Sequence, residues 1–212
     1  LWESFLGSSM EASGTGNITI DVPLFQASMT NLSFEPEELP VVPEEAYESI
    51  AFQEALADLE PDLGDGTYAI QYMGSAVRIS TPEGMSAADT ATDTLTFMDA
   101  SGMNTIAYSM VPAVDVELYT DSISSMYTGM LEALGAAVQS GQDSQNVSTP
   151  FGPVDGYWIS VGDVSVYYGF APFRNAYLAV IRTKLGGTEL DSAVVLGETF
   201  GYAAELMPAD IL

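Results

Sequence analysis

Tyr157-Trp158-Ile159-Ser160-Val161-Gly162-Asp163-Val164-Ser165-Val166-Tyr167-Tyr168 is the stretch whose reading decides the fold. β-branched and aromatic residues run up to Gly162-Asp163 and resume directly after it. A two-residue connection with Gly in first place is that of a type II′ turn, whose backbone twist matches two antiparallel strands. The reading is therefore a hairpin of Val154 to Val161 with Val164 to Phe170, followed by a further strand, Ala176 to Lys184. Successive side chains of a strand point to opposite faces, so the aromatic residues Tyr157, Trp158, Tyr167, Tyr168, Phe170, Phe173 and Tyr177 are shared between two faces. Half of them are expected under helices, and Trp158 and Tyr167 are the candidates for a recognition patch.

Upstream of this hairpin the period changes. Ile123, Met126, Tyr127, Met130, Leu131, Leu134 and Val138 recur at steps of three and four, which predicts an amphipathic helix over 121–139. Thr120 or Asp121 is its expected cap and Gly141 the left-handed residue after its end; Met126 and Met130 read as core filler. Further upstream, strands are expected at 68–73, 76–80, around Leu95 and Phe97, and at 106–110, each stopped by Gly or Pro. A closing helix over 189–206 takes Thr188 as cap, puts Ala193, Leu196, Phe200 and Met207 on one face, and has small residues Gly197, Gly201 and Ala204 for close packing.

Strands in hairpins with long helices between them demand a sheet covered on both faces. The predicted class is α+β: an antiparallel sheet of about six to seven strands with helices packed on its faces, an α/β/α sandwich. This domain is assigned to 67–212. Residues 1–66 read as an acidic, proline-containing extension with one strand at 16–22 and one short helix over 44–59, whose apolar face is drawn from Tyr47, Ile50, Ala51, Leu56 and Leu59.

The run Val77-Arg78-Ile79-Ser80-Thr81-Pro82-Glu83-Gly84, an Asp-rich strand pair, the amphipathic helix, Thr149-Pro150-Phe151-Gly152 with its hairpin, and a final strand and helix resemble the PsbP-like α/β/α sandwich family over residues 67–207. That family includes the extrinsic subunit of photosystem II, a yeast Ran-binding import factor and bacterial lipoproteins. What matches is a rhythm of elements and not a catalytic signature, so no functional residue carries over. The resemblance implies a non-enzymatic binding or assembly role, of the lipoprotein type, often on the outer side of a membrane.

Thirty Asp and Glu stand against four basic residues, a net charge of −26. A chain with so few Lys and Arg has no basic patch with which to displace counterions, which excludes nucleic acid and anionic lipid surfaces as partners. No apolar run reaches the ~20 residues of a membrane helix, so no insertion of this chain is expected. A protein or small-molecule partner remains, and the chain is expected to be extracytoplasmic, secreted or tethered upstream of residue 1.

The chain has neither His nor Cys. That excludes imidazole and thiolate catalysis and His or Cys metal sites, and the reading assigns no catalytic residue, no cofactor and no metal. Two alternatives stay open. Asp58, Asp62 and Asp65 offer oxygens for a calcium-dependent structural or adhesion role, and paired carboxylates for a hydrolase. Arg78 and Arg174 stand out in so acidic a chain: each either holds an anionic ligand through its guanidinium fork or pairs with one of the chain's own carboxylates.

Overall fold

A computed structural model describes residues 10–12, 18–20, 44–112, 116–133, 137–174, 176–186 and 191–211. The chain divides into two compact units, 1–43 and 44–212. In the first, β1 (Met10–Ala12) pairs antiparallel with β2 (Ile18–Ile20), Met10 opposite Ile20.

The second unit is built on an antiparallel sheet of seven strands: β6 (Met85–Thr90), β7 (Thr94–Asp99), β8 (Thr105–Pro112), β9 (Gln139–Thr149), β10 (Gly152–Val161), β11 (Val164–Phe173) and β12 (Ala176–Leu185). Their order in space is β6-β7-β8-β12-β11-β10-β9. Val161 lies opposite Val164 across Gly162-Asp163, and Gly162 has φ +55° while Asp163 does not share the positive φ, as a II′ connection requires. Helices cover the sheet on either face, so the α+β sandwich is the observed class.

The strands at 67–72 and 75–80 do not join this sheet. β4 (Thr67–Tyr72) and β5 (Ser75–Ser80) belong to a second sheet of four strands, ordered β13-β5-β4-β3, with β3 (Asp62–Gly64) and β13 (Ala203–Glu205) at its edges. Ile70, Val77 and Ile79 face the large sheet and meet Leu95, Phe97, Tyr108 and Tyr167 in the central core. Ala69 and Ala76, on the opposite face, lie under α1 (Glu44–Ala57) and meet its Phe52 and Leu56. The compact unit therefore starts at Glu44 and not at residue 67, because the short helix supplies the second cover of a sheet that would otherwise expose its far face. Its buried residues are Phe52 and Leu56, and Leu59, half-buried, packs beside them two residues past its end; Ile50 is 53% exposed, and the side chain of Tyr47 lies outside the described residues.

On the other face of the large sheet lies α2 (Val116–Glu132), which begins and ends earlier than its periodicity predicts. Thr120 lies inside it and donates to Val116 O at 2.8 Å, and Gly141 lies in β9. Its inward stripe is Val116, Tyr119, Ile123, Tyr127 and Leu131, over Ile159, Tyr168, Phe170 and Ala179. Met126 and Met130 are not filler: they are exposed, at 56% and 59%. Leu134 lies outside the described residues.

The closing helix α3 (Ser192–Phe200) is half as long as expected. Its cap is Asp191, which accepts from Ala193 N at 2.9 Å; Thr188 lies outside the described residues. After Gly201 the chain becomes β13, with Ala203 opposite Ile79, so pairing to an open sheet edge overrides continuation of the helix. Leu196 and Phe200 are buried as expected, Met207 is not, and a last turn, α4 (Pro208–Ile211), follows.

α3 is fixed to the large sheet at both ends. Ser192 N donates to Asp143 Oδ2 at 3.0 Å and its hydroxyl donates to the same oxygen, placing a carboxylate at the helix N-terminus. At the other end Tyr108 Oη donates to Thr199 O at 2.8 Å, and Arg182 Nη1 lies 3.0 Å from Thr199 Oγ1 and 3.5 Å from Glu198 Oε2. Anion at the N-terminus and cation at the C-terminus both oppose the helix dipole favourably. At the β7–β8 turn, the Asp99 carboxylate accepts from the Asn104 amide and then from the Ser101 hydroxyl, which hold its pKa down to about 2. A depressed carboxylate pKa supports the fold above the ordinary carboxylate range, and that support fades as pH falls toward 2.

Tyr108→Phe removes the buried bond to Thr199 O while keeping the ring. It is expected to cost about 1–2 kcal/mol in urea unfolding, with an unchanged slope; an unchanged midpoint would show that the end of α3 is held by packing alone.

Candidate functional site

β10 and β11 carry most of the aromatic residues, and the pleat sorts them. Even positions of β11 and odd positions of β10 lie under α2: Tyr157, Tyr168 and Phe170 join the half-buried Tyr119, Tyr127 and Tyr177 there. The rings of Tyr157 and Tyr168 stack at 5.1 Å and 13°, and Tyr119 leans on Phe170 at 6.3 Å. Trp158 and Tyr167, opposite each other in the register, fall on the other face.

This placement corrects the expected recognition patch. Tyr167 is fully buried in the central core, and Trp158 is half-buried against the same core. Trp158 packs against Gly141 of β9, where a Cβ would come within 2.6 Å of the indole, so glycine there is what admits the ring. Arg78 Nη1 pairs with Asp210 Oδ1 at 3.3 Å. Arg174, left-handed at the tip after β11 with φ +55°, donates from Nε to Glu205 Oε1 at 3.0 Å and lies 5.9 Å from the Phe173 ring. Both arginines therefore take internal carboxylates, and the four candidates do not converge on one place. Asp62 Oδ1 accepts from Gly64 N at 2.8 Å within its own turn, and among the described residues no three Asp or Glu side chains, Asp58, Asp62 and Asp65 included, gather as metal ligands do.

What the structure does assemble is on the α2 side. Between Asp121 and Glu132 the helix has no charged residue. Its outward positions there are Ser122, Ser125, Met126, Gly129 and Met130, with Leu118 exposed at 63% one turn before. At the N-terminal end of the helix an open cleft of about 210 Å³ is bounded by Val116, Pro153, Asp155, Tyr157, Phe170 and Pro172. Gln142 Nε2 donates to Asp155 Oδ2 at 3.0 Å and reaches the Tyr157 hydroxyl at 3.4 Å. Burial raises the pKa of Tyr157 above its ordinary value, and the charges of Asp155 and Glu117 raise it further.

No protein-family model and no curated protein matches the chain. Among solved structures it is similar to the Ran-binding protein Mog1p of Saccharomyces cerevisiae, with 8% sequence identity and a TM-score of 0.36, over 68% of this chain and 86% of that one. A likeness at that score adds nothing to the architecture described above. Among the described residues no helix is long and apolar enough to cross a membrane.

The α2 side was hard to see in sequence because apolar residues occupy two adjacent rows of one helix. Tyr119, Ile123, Tyr127 and Leu131 form the inner row, and Leu118, Met126 and Met130 the outer one. The available signal was the excess itself: a single buried stripe uses only one of these rows.

Tyr157, Tyr168 and Tyr127 all have pKa values raised by burial above the ordinary 10.0. A phenol that resists ionisation when folded supports the fold below pH 10 and weakens it as pH rises through the folded value. In an absorbance titration, phenolate formation in the native protein is expected to lag behind that in urea, with loss of structure accompanying the last step. Superimposable curves would contradict the packing of these rings under α2.

Proposed function

We propose that this chain is an extracytoplasmic, non-catalytic binding or assembly module of the PsbP-like lipoprotein type, and that it docks a protein partner on the outer face of α2. One observation carries the reading: in a chain of net charge −26, the outward face of α2 is uncharged from Ser122 to Met130 and exposes Met126 and Met130, with Leu118 exposed one turn before. A solvated helix face in so acidic a protein is expected to be charged, and exposed apolar positions grouped on one element mark contact surfaces. Methionine suits such a surface because its flexible thioether adapts to a partner's shape.

The charge distribution selects the partner. Glu117 and Asp121 bracket the apolar face at one end and Glu132 at the other. A second copy would bring like charges together at both ends and add the repulsion of two strongly acidic bodies. The complementary occupant is an apolar segment of another protein, flanked by Lys or Arg. The absence of His and Cys supports the non-catalytic part of the proposal, and the extracytoplasmic part follows the family resemblance.

The test uses three designed helical peptides: one with a Leu core and Lys flanks, one with the same core and Glu flanks, and one with Lys flanks and a Ser/Gln core. Only the first is expected to bind, with at least about tenfold weakening in Met126→Glu/Met130→Glu and an unchanged melting temperature. Equal binding of the third peptide would reduce the effect to bulk charge and overturn the proposal, as would a stable dimer by sedimentation.

A further inference from the structure

The cleft beside the N-terminus of α2 has a chemistry different from the helix face. Among the described residues its boundary consists of two prolines, Pro153 and Pro172, the aromatic rings of Tyr157 and Phe170, the aliphatic Val116 and Val154, and one carboxylate, Asp155. Among the described residues no basic side chain lines it. Asp155 takes a hydrogen bond from the neutral amide of Gln142, and the charges of Asp155 and Glu117 are both felt at Tyr157. At about 210 Å³ the cleft is smaller than the ~300–1,000 Å³ that hold whole cofactors or drug-sized ligands, so it has room for a head group.

We propose that this cleft is a binding site for an organic cation, an alkylammonium or guanidinium head group. Negative charge beside aromatic and proline surface in a partly desolvated recess favours a cation that gives up water easily and can lie against rings. A hard metal ion is the wrong occupant, since calcium asks for six to eight oxygens and magnesium for an octahedral set, where the described residues of this boundary offer one carboxylate. An anion meets the Asp155 carboxylate and, among the described residues, no donor cation. The proposal goes beyond the docking role of α2: it concerns a different set of residues and stands or falls without it.

The same head group has two possible sources, a free quaternary amine or a Lys or Arg side chain presented by a protein. Both are addressed by following the ring resonances of Tyr157 and Phe170 by NMR during titration with tetramethylammonium, N-acetyl-argininamide and N-acetyl-lysinamide. Sodium chloride at matched ionic strength and the neutral N-acetyl-citrullinamide serve as controls. The organic cations are expected to shift both rings saturably, with affinity at least about tenfold weaker in Asp155→Asn and smaller losses in Glu117→Gln. The second variant alters an exposed position and keeps the test open if the first fails to fold. Tighter binding of tetramethylammonium assigns the site to a free amine, and tighter binding of argininamide or lysinamide to a side chain. Equal shifts with sodium would reveal diffuse counterions drawn by the protein's net charge, and equal shifts with citrullinamide would reveal a site indifferent to charge; either overturns the proposal, as does undiminished binding in both variants.

Discussion

Burial of β11 on both faces is the constraint from which the rest of the architecture follows. From Ser165 to Ala171 every residue of the strand is buried, with Tyr167 on one side and Tyr168 on the other. A strand of this kind is stable only inside a sheet that is itself covered twice. α2 provides one cover; the second sheet and α3 provide the other. The second sheet in turn has a far face, which α1 closes through Phe52 and Leu56. Each layer exists because the one beneath it has two apolar sides.

Polar groups are arranged to keep these layers in register. α3 is short, and its position depends on Asp143 at one end and on Tyr108 and Arg182 at the other. Three of the four basic residues are engaged by carboxylates, Arg78 by Asp210, Arg174 by Glu205 and Arg182 by Glu198. The chain therefore uses its scarce cations internally, and its surface is left to acids. Against that surface, the uncharged outer row of α2 and the aromatic cleft at its N-terminal end stand out on the α2 side among the described residues.

The hairpin of β10 and β11, the strand after it and the amphipathic helix were legible because period, turn chemistry and composition agreed in each. β6 and β9 were not. Gln139-Ser-Gly-Gln-Asp-Ser-Gln-Asn-Val-Ser-Thr149 is an edge strand with one buried side chain, Val147, among those described, so it has no alternation to read. The end of α3 was misplaced because the chain leaves the helix to pair, as β13, with the distant strand β5, and such pairing leaves no local trace. The site was less legible than the fold. The aromatic concentration in the hairpin was visible, but which face would remain accessible depended on which cover was the thicker. Trp158 and Tyr167 lie under the second sheet and α3, while Tyr157 and Phe170 reach the rim beside α2.

Methionine oxidation footprinting in the source cells tests the central claim most directly, because the protein carries its own controls. Met73 and Met103 are exposed at 73% and 56%, away from α2, and Met126 and Met130 at 56% and 59% on its outer face. Accessible thioethers oxidise alike in the purified protein. If the α2 face is occupied in its native setting, Met126 and Met130 will be protected in cells while Met73 and Met103 remain as reactive as in isolation. Oxidation of all four at the rates of the purified protein would contradict the account.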